Sequence, residues 1–348
     1  MSVKRFTENP LITPADVKPS MEGYEVLCAF NPGVIEFGKE ILLLIRVAER
    51  PINPNPDRSV LVPMLGEESL RPEIVEFPLD SPDIDVSDPR VVVFPDALYL
   101  TSISHLRIAR SLDGIHFVID EHPALFPQTE YERYGIEDPR ITKIRDTYYV
   151  VYKGVSPTGI TQCLASTRDF VIWNRHGIIL PPENMDAMLF PAKINGRFAA
   201  LHRPQPKMIG SPNMWLAWSD DLIHWGGHKF LLGCSTGTWE GGRIGGGAVP
   251  FRVNEGWLAI YHAATLEDHY CLGAVLLDYA DPSKVLRKSI RPILAPEAHY
   301  ETTGFKSNVV FTCGAIVKGE VVTIYYGAAD ESICAAEMTI SDIMDSMS

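Results

Sequence analysis

Cysteine is scarce and scattered in this chain of 348 residues: six in all (28, 163, 234, 271, 313, 334), none in a CxxC pair. That spacing gives no zinc knuckle and does not suggest a disulfide scaffold. No apolar run approaches the roughly 18–20 residues of a membrane span. The opening MSVKRFTENPLITP has Lys4 and Arg5 but no apolar segment behind them, which argues against a secretory leader. No Asn-x-Ser/Thr sequon occurs. Together these absences predict a reducing, cytoplasmic compartment. Basic residues are in deficit, 31 Lys and Arg against 44 Asp and Glu, for a formal charge of −13. Such a chain lacks the basic face that nucleic acid requires, and any anionic ligand needs a local cluster of cations. Phosphate-loop, HExxH and GxSxG patterns are missing. The ten histidines do not gather at ligand spacings, so no metal is expected.

Helical periodicity is nearly absent too, apart from a short helix expected near 340–347 and a candidate over the acidic stretch 16–25. With 46% apolar residues the chain can bury a full core. That core is written in short β segments: Ile41–Val47, Tyr148–Tyr152, Trp257–Tyr261 and Val321–Tyr326, rich in β-branched and aromatic residues. Strands without intervening helices exclude βαβ folds.

The strands recur. A small or polar residue opens an apolar strand at Asn31, Asp88, Asp138, Asp186, Gly247 and Gly314. A second signature, Ser111-Leu-Asp-Gly-Ile-His-Phe117, Ser166-Thr-Arg-Asp-Phe-Val-Ile-Trp173 and Ser219-Asp-Asp-Leu-Ile-His-Trp225, follows several of them. In it the Asp accepts turn N–H groups and the aromatic packs between neighbouring units. Periods near 50 residues with four strands per unit predict an all-β fold of the β-propeller type. Residues heading the inner strands would then converge at the mouth of a central channel. The Asp88 unit reads as a hairpin inserted within a blade. The whole chain, 1–348, is expected to be one catalytic propeller domain, with an N-terminal arm (1–25) and a C-terminal segment (336–348) packed on it.

Within Tyr131-Glu-Arg-Tyr-Gly-Ile-Glu-Asp-Pro-Arg-Ile141 the adjacent carboxylates Glu137 and Asp138 enter a channel strand between Arg133 and Arg140. Neighbouring carboxylates can separate their pKa values, leaving one able to donate a proton near neutrality. Arg46, Lys153, Arg203, Arg243 and His262 each stand at or beside the end of an inner strand. Together they suggest an anionic ligand. Trp257 and Tyr261 could offer an apolar platform to a sugar face, and Gly241–Gly247 a close backbone approach.

These residues resemble glycoside hydrolase family 130, the β-mannoside phosphorylases. The likeness is carried by Phe30-Asn-Pro-Gly-Val34 with Arg46, Gly135-Ile-Glu-Asp-Pro-Arg140, Asp186-Ala-Met-Leu-Phe-Pro191 with His202-Arg-Pro204, Ile244-Gly-Gly-Gly247 with Trp257–His262, and Tyr300-Glu301 with Tyr325–Asp330. The opening Asn9–Pro19 and the segment around Asp88 look like the members acting on β-1,2-mannobiose and β-1,2-oligomannosides. The resemblance implies a five-bladed β-propeller and a glycoside phosphorylase, hence a glycosyltransferase. Its reaction would be reversible, inverting cleavage of a β-mannoside by inorganic phosphate to α-mannose 1-phosphate, with phosphate a co-substrate and no cofactor.

In that reading Asp138 is the general acid. Asn31, Arg46, Asp88, Arg140, Asp186, Tyr300 and Asp330 bind the mannoside. Arg203, Arg243, His262, Lys153 and Asn184 bind phosphate. Asn184, Met185, Lys153 and Arg243 depart from the pattern of many relatives. They leave an alternative: an inverting β-1,2-mannosidase with a degenerate phosphate site and Glu240 or Asp186 as the second carboxylate. A non-catalytic carbohydrate-binding propeller is the third reading. The expected partners are a β-mannooligosaccharide with phosphate or mannose 1-phosphate, without nucleic acid or membrane. A homo-oligomer is left open.

Overall fold

Strands form where β-branched and aromatic runs put them: the four segments above fall within Glu40–Pro51, Thr147–Ser156, Gly256–Ala264 and Val321–Ala328. The computed structural model describes residues 3–348, so the first two residues of the arm expected over 1–25 lie outside it. Among the described residues, α-helix is confined to His299–Thr302 and Ile340–Asp345. The latter is the helix expected near the C-terminus, and Thr339 caps it by accepting the Asp342 N–H at 3.0 Å. The candidate helix over 16–25 does not form. Pro19 interrupts it, and the chain passes from a 3-10 turn at Pro14–Asp16 into the strand Tyr24–Phe37. No helix among the described residues is long and apolar enough to cross a membrane.

The fold is all-β, but the five-bladed propeller is not what the strands build. They divide among six separate sheets, none closed or curled into a propeller-like barrel. One sheet has eight strands, three have four, and two have two. The eight-stranded sheet arises because Gly135–Ile144 joins Ile103–Ser111 in parallel, through Gly135 opposite Ser104. Two stretches that the spacing reads as separate units thereby become one sheet. Residues 52–101 instead fold into two small hairpins, Ser59–Leu65 with Pro72–Pro78 and Val91–Val93 with Leu98–Leu100. The Asp88 recurrence thus heads an inserted hairpin, as expected.

What the other five recurrences record is a set of β-bulges. The register slips between Phe30 and Gly33, Glu137 and Arg140, Met185 and Met188, Gly246 and Ala248, and Thr312 and Gly314. These slips enclose or end at Asn31, Asp138, Asp186, Gly247 and Gly314. Asn31, Asp138 and Asp186 take φ of 47°, 48° and 55°. Only Gly, Asn and Asp tolerate that left-handed backbone readily, so the residue type at these points is set by the bulge. A bulge bends its strand and re-aims one side chain, and here the bulged strands pack beside one another. The side chains re-aimed at Asn31, Asp138 and Asp186 share one pit rather than the mouth of a channel.

Apolar cores lie between successive sheets. Leu43 and Ile45 meet Tyr325 and Ile333 in one; Met188 and Leu201 meet Trp257 and Tyr261 in another. At about 1.5–3 kcal/mol per fully buried aliphatic side chain, these interlayers supply the main cohesion. The turn signatures behave as read. Asp113, Asp169 and Asp221 each accept two backbone N–H groups at 2.8–2.9 Å. Phe117 packs edge-on against Tyr325 of a different sheet.

Candidate active site

The floor of the pit is a network of buried charge. Asp138 accepts from Asn31 Nδ2 at 3.0 Å and Arg46 Nη1 at 3.3 Å on one oxygen, and from Lys153 Nζ at 2.6 Å on the other. Arg46 also holds Glu137 at 2.6 Å and donates to Ser104 Oγ, with its guanidinium 4.5 Å over the Phe30 ring. Asp186, fully buried, meets Arg203 at 2.7 Å, Lys153 at 3.3 Å and Arg140 at 3.4 Å. Arg140 spends its remaining donors on the carbonyls of Gly246 (2.5 Å), Gly247 (3.1 Å) and Asp138 (3.2 Å). The glycine run therefore does make a close approach, to Asp186 and Arg140. A Cβ on Gly246 would stand 2.5 Å from the Asp186 carbonyl, and one on Gly245 2.5 Å from its carboxylate.

Taking ions out of water costs several kcal/mol each unless every charge is paired. Here Arg46, Lys153, Arg140 and Arg203 face Glu137, Asp138, Asp186 and Asp330, so four buried cations are gathered against four carboxylates within a strongly acidic protein. His262 adds two buried ring nitrogens without a hydrogen-bond partner, although Nε2 lies 3.2 Å from Asp186 Oδ2. Burial lowers its pKa to about 4 despite the carboxylate beside it. The ring lies against Phe311, with centroids 4.3 Å apart and planes tilted by 38°. Arg243 stands beside this group, bound to Tyr270 (2.6 Å) and Asp268 (2.5 Å), with a buried, unpartnered Nε.

Burial alone would raise the Asp138 carboxyl, but Lys153 and Arg46 hold it below the ordinary carboxylate range. Of the Glu137–Asp138 pair, expected to leave one carboxyl able to donate near neutrality, Asp138 is thus held toward its ionised form. Asp186 is likewise held well down against burial by Lys153, Arg203 and His262. Asp330 is the opposite case: burial raises it, Arg46 opposes, and Asp138 adds repulsion. It shares the left-handed geometry (φ 52°) and lines a cavity of about 240 Å³ with Arg46, Glu137, Phe30, Phe305 and Arg90.

Not every expected residue reaches this cluster. Asp88 lies on the inserted segment, where it grips Arg90 through both oxygens (2.9 and 2.6 Å), and it lines an outer cleft. Arg90, which copies the Arg of Asp138-Pro-Arg140, is the one that lines the inner cavity. Tyr300 accepts from Asn9 on the arm and packs against the core between two sheets. The Asn184 side-chain Oδ1 faces His202 Nδ1 at 3.0 Å, and His202 in turn meets the exposed His228. Trp257 and Tyr261 form no sugar platform. Both are buried between sheets, with Trp257 edge-on to Phe190 and Tyr261 donating to Glu240. Phe30 and Phe305 are the aromatic surfaces of the cavity. Lys306, which pairs with Asp268 at 2.9 Å, carried no sequence signal.

The two proposed water-activating carboxylates are both occupied. Glu240 is bound by Tyr261 and by Lys288 at 2.5 Å. Asp186 is ringed by cations and shares Lys153 with Asp138. The oxygens that flank that ammonium are closer than the roughly 6.5 Å at which inverting carboxylate pairs begin. Among the described residues, no group of three or more His, Cys, Asp or Glu is arranged to hold a metal ion.

Residues 91–348 match the family model described as β-1,4-mannooligosaccharide phosphorylase. Over 99% of its length the chain is 48% identical to a β-1,2-mannobiose phosphorylase of Listeria innocua, of which it covers 98%. It is 44% identical over 72% of its length to a 1,2-β-oligomannan phosphorylase of Thermoanaerobacter, covering 83% of that protein. The solved Listeria innocua β-1,2-mannobiose phosphorylase, in complex with β-1,2-mannobiose, superposes with a TM-score of 0.97 over 99% of both chains.

Proposed function

Since the chain belongs to glycoside hydrolase family 130, the β-1,4-mannooligosaccharide phosphorylase family, we propose that it performs reversible, inverting phosphorolysis of β-mannosides. Its substrate in this proposal is β-1,2-mannobiose or a short β-1,2-oligomannoside, and its product α-mannose 1-phosphate. The observation that carries the substrate choice is the near-complete likeness to the Listeria innocua enzyme.

Inversion needs an acid at the leaving oxygen and a nucleophile on the opposite face of the sugar. Asp138 is the proposed acid. Asn31, Arg46, Asp330 and Arg90 hold the sugar, with Arg140 and Asp186 fixing the floor beneath it. Asp88 acts through Arg90, and Tyr300 through the arm. Phosphate already carries charge, so it needs positioning by cations instead of a general base. Lys153, Arg203, Arg243 and His262 supply that positioning, with Asn184 steadying His202 behind them. The gathering of Lys153, Arg203 and Arg140 and the orphaned His262 nitrogens support an anionic guest. The occupied state of Asp186 and Glu240 weighs against hydrolysis by activated water.

The whole chain is proposed as one catalytic unit. Lys4–Arg5 pairs with Ser332–Thr339, Arg5 grips Glu301 at 2.8 Å, and Ile343 and Met344 of the last helix enter the core. A reducing, cytoplasmic setting accords with six free cysteines.

Incubating the protein with β-1,2-mannobiose, with and without inorganic phosphate, tests the reading. Mannose 1-phosphate should form only with phosphate present. Equal release of free mannose in both tubes would mean a hydrolase.

A further inference from the structure

The proposed acid is clamped by two cations, Lys153 at 2.6 Å and Arg46 at 3.3 Å, yet it must deliver a proton. We propose that Lys153 couples the protonation of Asp138 to the arrival of phosphate. Its ammonium clamps Asp138 and Asp186 before phosphate binds and turns to the phosphate afterwards, freeing Asp138 to take up the proton that the leaving sugar receives. This inference rests on the phosphorolysis reading.

The geometry suits such a switch. Lys153 stands directly across the strand pair from Glu137, and its Nζ lies 2.6 Å from Asp138 and 3.3 Å from Asp186. An ammonium is a point charge on a flexible stem and re-aims easily, whereas a guanidinium fork does not. Asp186 loses little when Lys153 leaves, since Arg203 and Arg140 remain on it. Asp138 loses its shortest contact and keeps Asn31 and Arg46.

The other groups facing the pair offer no replacement cation. Lys153 looks onto Glu137, the Phe311 ring at 5.8 Å and the Cys313 thiol, which burial pushes up to about 12 and so keeps neutral. Asp138 is faced by Asp330, whose charge favours its protonation, and by Arg140, which meets its backbone carbonyl. A phosphate dianion across the sugar from Asp138 adds negative charge to the pit and acts in the same direction.

The protons balance. Asp138 takes one proton from solvent as hydrogenphosphate binds. It gives that proton to the glycosidic oxygen as the bond from C1 to the leaving oxygen breaks and the bond from C1 to a phosphate oxygen forms. The mannosyl hydrogenphosphate then loses its remaining proton to solvent, leaving no net change.

The test is the pH profile of kcat/KM for β-1,2-mannobiose at low and at saturating phosphate, in the wild type, Lys153→Met and Lys153→Arg. Activity falls as pH rises through the Asp138 pKa. In the wild type that falling limb should move up by about one unit or more with phosphate. In Lys153→Met the limb should already lie high at low phosphate, and the phosphate-driven rise should shrink by about half or more. Lys153→Arg, which keeps a cation there, should retain part of the rise. As a readout without sugar, titrating inorganic phosphate in buffers of differing protonation enthalpy should show proton uptake by the wild type. A wild-type limb that ignores phosphate, or an undiminished rise in Lys153→Met, would overturn the inference. If mannose 1-phosphate still forms in that case, only the coupling fails; if none forms, the phosphorolysis reading fails.

Discussion

Asp138 is bound from three sides, and its removal shows how catalysis and stability separate at a single residue. In Asp138→Asn the surrounding cations keep partners, Lys153 on Asp186 and Arg46 on Glu137. No charge is orphaned, so the melting temperature should stay within a few degrees of wild type, whereas loss of a general acid should cut turnover by about 10²–10⁴-fold. Mannose 1-phosphate release and thermal melting measure the two effects. Near-normal turnover would remove Asp138 from the acid role. Arg90 gives a second prediction. Its guanidinium, fixed by Asp88, lines the cavity but touches none of the floor residues. Arg90→Ala should therefore raise KM for β-1,2-mannobiose about tenfold with a smaller change in kcat. Asp88→Asn should move KM in the same direction by less. Arg243→Ala should raise the phosphate concentration needed for half-maximal rate and spare KM for the sugar. Much of this cluster was legible in the sequence because the strand-heading residues repeat. Arg90 was hidden behind Asp88, although the recurring Asp-Pro-Arg pattern pointed to it. Lys306 and Asp268 were unreadable because loop contacts leave no periodic signal.

At the scale of the strand, the bulge is the working unit, because those at Asn31, Asp138 and Asp186 turn a side chain out of the ladder and into the pit. Gly246 borders such a bulge, and an added methyl there would meet the Asp186 backbone oxygen at 2.5 Å. Backbone cannot yield cheaply there, so Gly246→Ala should destabilise by about 1–3 kcal/mol and abolish turnover by displacing Asp186. Gly226 has open space where a Cβ would go, so Gly226→Ala should leave both melting and activity near wild type. Equal melting of the two variants would mean that the bulge adapts. The Asx recurrence was visible in the sequence, but its cause was not: left-handed backbone and site chemistry demand the same residue types. Trp257 and Tyr261 misled for a related reason. An aromatic beside a site histidine in a strand points to the opposite face from it or into an interlayer, and sequence alone does not say which.

Across the whole molecule the all-β class could be read from the residues, with four strand segments and the residues that head the inner strands. The division into six sheets in place of five blades could not, since spacing near 50 residues does not reveal that two units share a sheet through Gly135 and Ser104. Acid should unfold this architecture early. Burial lowers His262 to about 4 and His202 to about 3, from an ordinary 6.5. The unfolded chain therefore binds protons first as pH drops below 6.5, and stability falls across that window. Asp138 and Asp186, held below their ordinary 3.8, contribute stability above that value and lose it only at lower pH. Melting temperature should thus decline between pH 6.5 and 4, less steeply in His202→Gln; a flat profile there would contradict the buried-neutral histidines. The most direct test of the central claim follows one reaction of the protein with β-1,2-mannobiose and phosphate by phosphorus and proton NMR. The account predicts α-mannose 1-phosphate growing in step with the loss of disaccharide. The β anomer, or free mannose with an unchanged phosphate signal, would contradict it.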